Sequence, residues 1–218
     1  MSTSLKSIKP RRQSIEGLML LAGIVALMWI VEAIDALDGE RLNNAGGIIP
    51  RNFDHVWSIF TAPFLHANFY PHLVDNTIPL VFMGVIIALR GAARLALVTL
   101  IVIVIGGLGT WLIAPAGTST VGASGVVFGY ATYLFTRGVF NRSWLEILTG
   151  VVVGVVWGGA LVSSIVPHTG VSWQGHVCGA VGGVVAAWLM RPSGSHRGSS
   201  SGSSTGSRDD PLARALAQ

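Results

Sequence analysis

The sequence predicts an all-α membrane protein, a bundle of six transmembrane helices whose short fourth helix starts inside the membrane. Three observations predict it. Of the 218 residues, 51% are apolar and only 11% are charged, whereas a soluble domain carries about 25% charged residues. The apolar residues gather into long runs, and in lipid such a run has to satisfy its own backbone polar groups, which a helix does. Most of the Lys and Arg residues also fall in alternate connecting segments, as topology signals do.

The elements follow in order, each judged against the roughly 20 apolar residues that a membrane crossing requires. The first run covers residues 17–34 and is interrupted late by Glu32. Lys6, Lys9, Arg11 and Arg12 ahead of it resemble the start of a signal peptide. The run is long for that purpose and no small-x-small site follows it, so an uncleaved first span is expected. The second run is 72–89 and the third, without charge, is 95–113. The stretch 124–136 is uncharged but short, and is expected to be a fourth helix that begins below the membrane surface. Runs at 147–166 and 173–190 supply the fifth and sixth.

With these six spans, the N-terminal tail, Arg90, Arg94, Arg137, Arg142 and the tail residues Arg191, Arg197, Arg208 and Arg214 lie on one side. Arg41 and Arg51 lie on the other. The positive-inside rule then puts both termini in the cytoplasm of a multi-pass protein of the cell (plasma) membrane. The expected organisation is a basic N-terminal tail (1–16), a six-span domain (17–190) and a flexible Gly/Ser-rich tail (191–218). The first outer loop, 35–71, carries Phe53, Trp57, Phe60, Phe64, Phe69 and Tyr70 and suits the lipid interface. Cys178 is the single cysteine, which excludes an intramolecular disulfide. The spread of the basic residues argues against a nucleic-acid partner.

Two of the apolar segments carry reactive side chains. Ser124 sits in Gly122-Ala123-Ser124-Gly125, and His176 follows Gly175 in the last run. Gly122 and Gly125 permit turns and close approach. A helix that begins at Ser124 turns its free N–H groups and positive dipole end toward the place where an oxyanion would form. The competing reading is helix packing through small residues, and Gly125 with Gly129 fits it equally well. A histidine within a span is costly and usually functional. Gly175, Gly179 and Gly183 allow a neighbouring helix close enough for a serine–histidine hydrogen bond. No acid lies in that run to orient His176, so a dyad is expected; its own competing reading is a histidine satisfied by a backbone carbonyl.

His72 and Asn76, four apart and on one helix face, are paired hydrogen-bond donors for an oxyanion hole. A metal site built on His66, His72 and Asp75 is disfavoured, because the six-residue spacing of the histidines suits no single helix and no His-x-x-x-His is present. No metal and no cofactor are expected.

Phe64-Leu65-His66, then His72-Leu73-x-x-Asn76, then Gly122-Ala123-Ser124-Gly125, then Gly175-His176-x-x-Gly179, in this order and on these runs, resemble the rhomboid family of intramembrane serine proteases. The resemblance covers residues 17–190. It implies a rhomboid-like bundle in which Ser124 is the nucleophile and His176 the general base. It further implies an oxyanion hole of His72, Asn76 and the Ser124 amide, with Gly122, Gly125, Gly175 and Gly179 as supporting motif glycines. Phe128 falls where the family often has a tyrosine that packs on the base. By the same analogy, the fifth span and the loop 167–174 are a lateral gate and its cap.

Three departures stand out. Val56-Trp57-Ser58 lacks the arginine of the family's Trp-Arg pair. The His66-to-His72 spacing is one residue longer than usual. Residues 86–89 replace an acid often found after the second span. The implied partners are transmembrane protein substrates within membrane lipid. A catalytically silent binder of transmembrane helices, a small transporter and a purely structural bundle are the rival classes.

Overall fold

The computed structural model describes residues 5–166 and 170–191, with side chains from residue 11. Among the described residues the fold is all-helical, with a single isolated antiparallel bridge between Ile48 and Thr120. The helices are α1 (Leu5–Leu37), α2 (Arg41–Gly46), α3 (Val74–Ala88), α4 (Ala92–Ile113), α5 (Ser124–Asn141), α6 (Trp144–Ser163) and α7 (Trp173–Leu189). Short 3₁₀ turns at Phe53–Ile59 and Ala62–Phe64 and a π-helical turn at Phe69–Leu73 lie between α2 and α3. The expected 191–218 tail, beyond Arg191, and the first three residues of the 167–174 loop lie outside the described residues.

Four helical segments are long and apolar enough to cross a membrane: Arg11–Leu37, Phe69–Ala88, Ala92–Ile113 and Trp144–Ser163. The expected count of six is therefore not reached on length and composition. α5 carries Arg137, Tyr130 and Tyr133, and α7 has 17 residues. For α5 a physical reason lies in its position. α5 is buried along most of its length, from Val126 to Ala131 and again at Tyr133, Leu134, Arg137 and Gly138. A helix wrapped by other helices presents little surface to lipid, so its composition is less constrained.

Glycine lets α7 lie directly on α5. A β-carbon on Gly179 would meet the Gly125 carbonyl oxygen and lie 3.0 Å from the Gly125 Cα. One turn further along, Gly183 faces the Gly129 carbonyl in the same way, and the Thr132 hydroxyl donates to the Ala180 carbonyl at 2.7 Å. α6 packs differently. Only Gly150 and Val153 are buried on it. Its first turn is fastened by Glu146, which pairs with Arg90 at 2.8 Å and Arg137 at 3.0 Å and accepts from the Asn141 side chain at 2.7 Å. Glu146 and Arg137 are largely sheltered while Arg90 is half exposed, so losing Glu146 or Arg137 would strand a buried charge.

The opposite end of the bundle is closed by the segment between α1 and α3. Asp35, buried at the end of α1, accepts from the Leu42 and Asn43 amides that open α2. The Arg51 guanidinium donates to the Leu112 and Ala114 carbonyls at 2.8 and 2.9 Å, so the C-terminal end of α4 is capped by a cation. The Trp111 indole donates to the Asn52 carbonyl, and Phe53 packs edge-on against Trp111 at 4.9 Å. Arg51, six residues before Trp57, thus ties the loop to α4.

Candidate active site

α5 begins at Ser124 because the preceding chain turns sharply. Gly122 has φ +119°, a conformation that disfavours any side chain. Its amide donates to the Ala62 carbonyl at 2.9 Å, and the Ala123 carbonyl accepts from the Val126 and Val127 amides. The Ser124 amide, in the first helical turn, is left outside the internal helical ladder.

Ser124 Oγ lies 2.8 Å from His176 Nε2, a contact between the first residue of α5 and the first turn of α7, 52 residues apart. The other ring nitrogen, Nδ1, lies 2.8 Å from the Ser164 carbonyl at the end of α6. When Nδ1 carries the proton, Nε2 of the neutral ring is the acceptor, and the Ser124 hydroxyl donates to it. Both readings open for His176 in the sequence are thus present together: it meets the serine and it meets a backbone carbonyl. Phe128, one turn after Ser124, stacks on the imidazole with centroids 4.4 Å apart and planes 5° from parallel. The ring is 5% exposed, so it forms a wall of the site and not part of its mouth.

His72 and Asn76 reach the same place from the π-helical turn and α3. A β-carbon on Gly122 would lie 2.7 Å from His72 Nε2 and 3.6 Å from Asn76 Nδ2. The Ala67 amide donates to His72 Nδ1 at 3.0 Å. In the neutral ring this puts the proton on Nε2, pointing toward Gly122. Asn76 Nδ2 is buried and makes no hydrogen bond. A buried donor without an acceptor is costly, and here it lies beside Gly122, next to Ser124. Two side-chain donors and the Ser124 amide therefore surround one small region, which is what a developing oxyanion requires.

His66, set aside as a metal ligand, has a structural position. It is fully buried, its Nε2 accepts weakly from the Ala123 amide at 3.4 Å, and its ring packs edge-on to His72 at 5.1 Å. Burial, with a smaller contribution from His72, pushes its pKa down to about 3, so it stays neutral. The Asn43 side chain holds its carbonyl at 2.7 Å. The sequence reading missed this support, as it missed Asp35 and Arg51, because each acts across long loops with no periodic signature.

A cavity of about 40 Å³ opens beside Ser124. Ile48, Ile59, Val102 and Gly106 give it apolar walls, and Thr110, Thr120 and Ser172 supply hydroxyls. Of the hydroxyl residues just ahead of Val121, Thr120 lines it, whereas Thr118 and Ser119 do not. Gly125 and Gly175 face one another across it: a β-carbon on Gly125 would lie 3.2 Å from the Gly175 carbonyl oxygen.

Comparison with known proteins gives a consistent grouping. The chain is 43% identical over 193 residues to an uncharacterized protein of Mycobacterium tuberculosis, covering 85% of this chain and 79% of that one. It is 29% identical over 157 residues to a Bacillus subtilis protein whose name provisionally assigns it to the rhomboid proteases, covering 71% and 74% of the two chains. With an Arabidopsis thaliana protein named rhomboid-like protein 11, chloroplastic, it shares 34% identity over 156 residues, which is 64% of this chain and 54% of that one. A family model of the Rhomboid domain matches residues 54–193, a stretch that holds Ser124, His176, His72 and Asn76, and the chain belongs to the rhomboid family.

Proposed function

We propose that this protein is an intramembrane serine endopeptidase that cleaves transmembrane segments of other membrane proteins with a Ser124–His176 dyad. The observation that carries the reading is the 2.8 Å contact between Ser124 Oγ and His176 Nε2. His176 takes the hydroxyl proton as Ser124 attacks a peptide carbonyl. The oxyanion forms beside Gly122, where His72, Asn76 and the Ser124 amide donate to it. His176 then protonates the leaving amine, and water resolves the acyl-enzyme. A 40 Å³ cavity has room for such a water next to the ester. In this reading the six helices α1 and α3–α7 cross the plasma membrane with both termini cytoplasmic. The chemistry uses the chain's own residues and needs no cofactor.

Labelling with a fluorophosphonate in detergent tests the reading. Wild-type protein is expected to label covalently at Ser124, and Ser124→Ala and His176→Ala are expected not to. Equal labelling of all three would remove the dyad from consideration.

Two further outcomes follow from the geometry. Asn76→Ala takes away one of three donors and should lower kcat by about 10–100-fold with little change in KM, less than the 10²–10³ lost with one donor in a soluble protease. Wild-type kcat in a folded Asn76→Ala protein would make Asn76 a packing residue. Phe128→Tyr should keep activity, because the stacked ring is retained. Phe128→Ala should cost about 3–5 kcal/mol of stability from the cavity it leaves, and cleave more slowly. Thermal unfolding beside cleavage rate separates the two effects, and an unchanged rate would mean that the ring does not position the base.

A further inference from the structure

We propose that Arg90, Arg94 and Arg137, at the end of the bundle that the proposed topology turns to the cytoplasm, form a binding site for the phosphate of an anionic phospholipid. The site is remote from the dyad. Arg137 lies thirteen residues beyond Ser124 on α5, about 20 Å of helix. The proposal does not depend on the protease reading.

Three observations carry it. The first is convergence. Arg90 and Arg137 pair with the same Glu146 oxygen at 2.8 and 3.0 Å, and Arg94 and Arg137 donate to the same Tyr133 hydroxyl at 3.3 and 3.2 Å. Among the described residues, no carboxylate other than Glu146 pairs with any of the three. Three cations therefore share one anion, which leaves two positive charges uncompensated.

The second is shelter. An arginine that serves only as a topology signal sits in water. Arg137 is 8% exposed, the Tyr133 ring beside it is fully buried, and the Arg137 Nε–H has no acceptor among the described residues. Excess charge of one sign is costly in such a place, and a phosphate with one or two negative charges offsets it. Arg90 is half exposed and Arg94 partly so, which makes them the accessible edge of the cluster with Arg137 behind. Their planar forks of N–H donors match the oxygens of a phosphate. Arg94 also lies in the first turn of α4, so the positive end of that helix adds to the same field.

The third observation makes the phosphate that of a lipid. Leu89 precedes Arg90 and is exposed, and Trp144 and Leu145, exposed as well, precede Glu146. Apolar side chains next to the charges suit acyl chains, and an exposed tryptophan suits the headgroup level. A phosphate free in solution would use none of them. Basic pockets between helix ends on the cytoplasmic side take lipid headgroups for the same electrostatic reason.

Thermal unfolding in detergent tests the proposal, with added phosphatidylglycerol, phosphatidylcholine or sodium phosphate at matched ionic strength. Each protein is measured against itself in detergent alone, so a destabilised variant still reports. Phosphatidylglycerol is expected to raise the unfolding temperature of the wild type by about 5 °C more than phosphatidylcholine does, as a ligand specific to the folded state would. Sodium phosphate should add nothing. Arg94→Gln and Arg90→Gln should each lose more than half of that difference. Arg191→Gln removes the same charge from an exposed arginine outside the cluster, stacked on Trp188, and should keep it. If Arg94→Gln does not fold, Arg90→Gln decides, since its side chain is half in solvent. Equal gains from the two lipids would overturn the site. So would the same response in all three variants, because attraction would then be diffuse. A gain from sodium phosphate as large as that from phosphatidylglycerol would overturn the lipid as the source of the phosphate. Loss of the lipid effect in a protein that still labels at Ser124 would remove this site and leave the protease reading standing.

Discussion

Ser124→Ala is expected to abolish cleavage of a transmembrane substrate, with a rate loss on the order of 10⁶-fold, as seen when a soluble serine protease loses its nucleophile. The substitution removes one oxygen and its hydrogen bond to His176. Stability should change by about 1 kcal/mol or less, the worth of one such bond. The helix start itself is set by the Gly122 turn and by the Ala123 carbonyl, which the substitution leaves in place. The measurement is cleavage of a single-span reporter beside thermal unfolding of both proteins. A folded Ser124→Ala protein that cleaves at the wild-type rate would end the protease proposal.

The second large effect is expected at Gly179. A methyl group there runs into the Gly125 carbonyl, backbone against backbone, so no side chain can turn away to make room. α5 and α7 must separate. Overpacking of this kind costs about 1–3 kcal/mol, more than the gain of up to about 1 kcal/mol from replacing glycine by alanine in a helix. The consequence for catalysis is larger, because Ser124 rides on one helix and His176 on the other. A misplacement of about 1 Å costs about 10²-fold in rate. Gly179→Ala should therefore show a lowered unfolding temperature and at least that loss of kcat. Gly154→Ala is the comparison, since a β-carbon there meets nothing within 4 Å. It should leave cleavage unchanged. If the two variants behave alike, the close approach of α5 and α7 does not set the geometry of the dyad.

How much of this was legible in the sequence depends on the range of the signal. The start of α5 at Ser124 was readable because Gly122, Ala123 and Gly125 are local, and glycine marks a turn without reference to any partner. His72 and Asn76 were readable as a pair through helical spacing, although His72 lies in a π-helical turn and not in α3. The Ser124–His176 contact spans 52 residues and was inferred from chemistry and from family resemblance. The Ser164 carbonyl had no signal, since every residue has one. Arg51 could be counted as an outer-side charge, but its attachment to the end of α4 depends on how a long loop folds back. The six expected spans came from runs of apolar residues; that signal weakens for α5, where burial by other helices replaces contact with lipid, and α7 falls short in length.

The low apolarity of α5 has a consequence for how the protein is made. Arg137 and two tyrosines leave α5 a poor candidate for entering lipid alone. It packs chiefly against α7 and α6, both synthesised after it. A nascent chain in the proposed topology would hold α5 beside the translocon until α7 emerges from the ribosome. Ser124 then meets His176 only after α7 has emerged. In the proposed mechanism, a chain that still lacks α7 has no base for Ser124 and cannot cleave the membrane proteins being assembled around it.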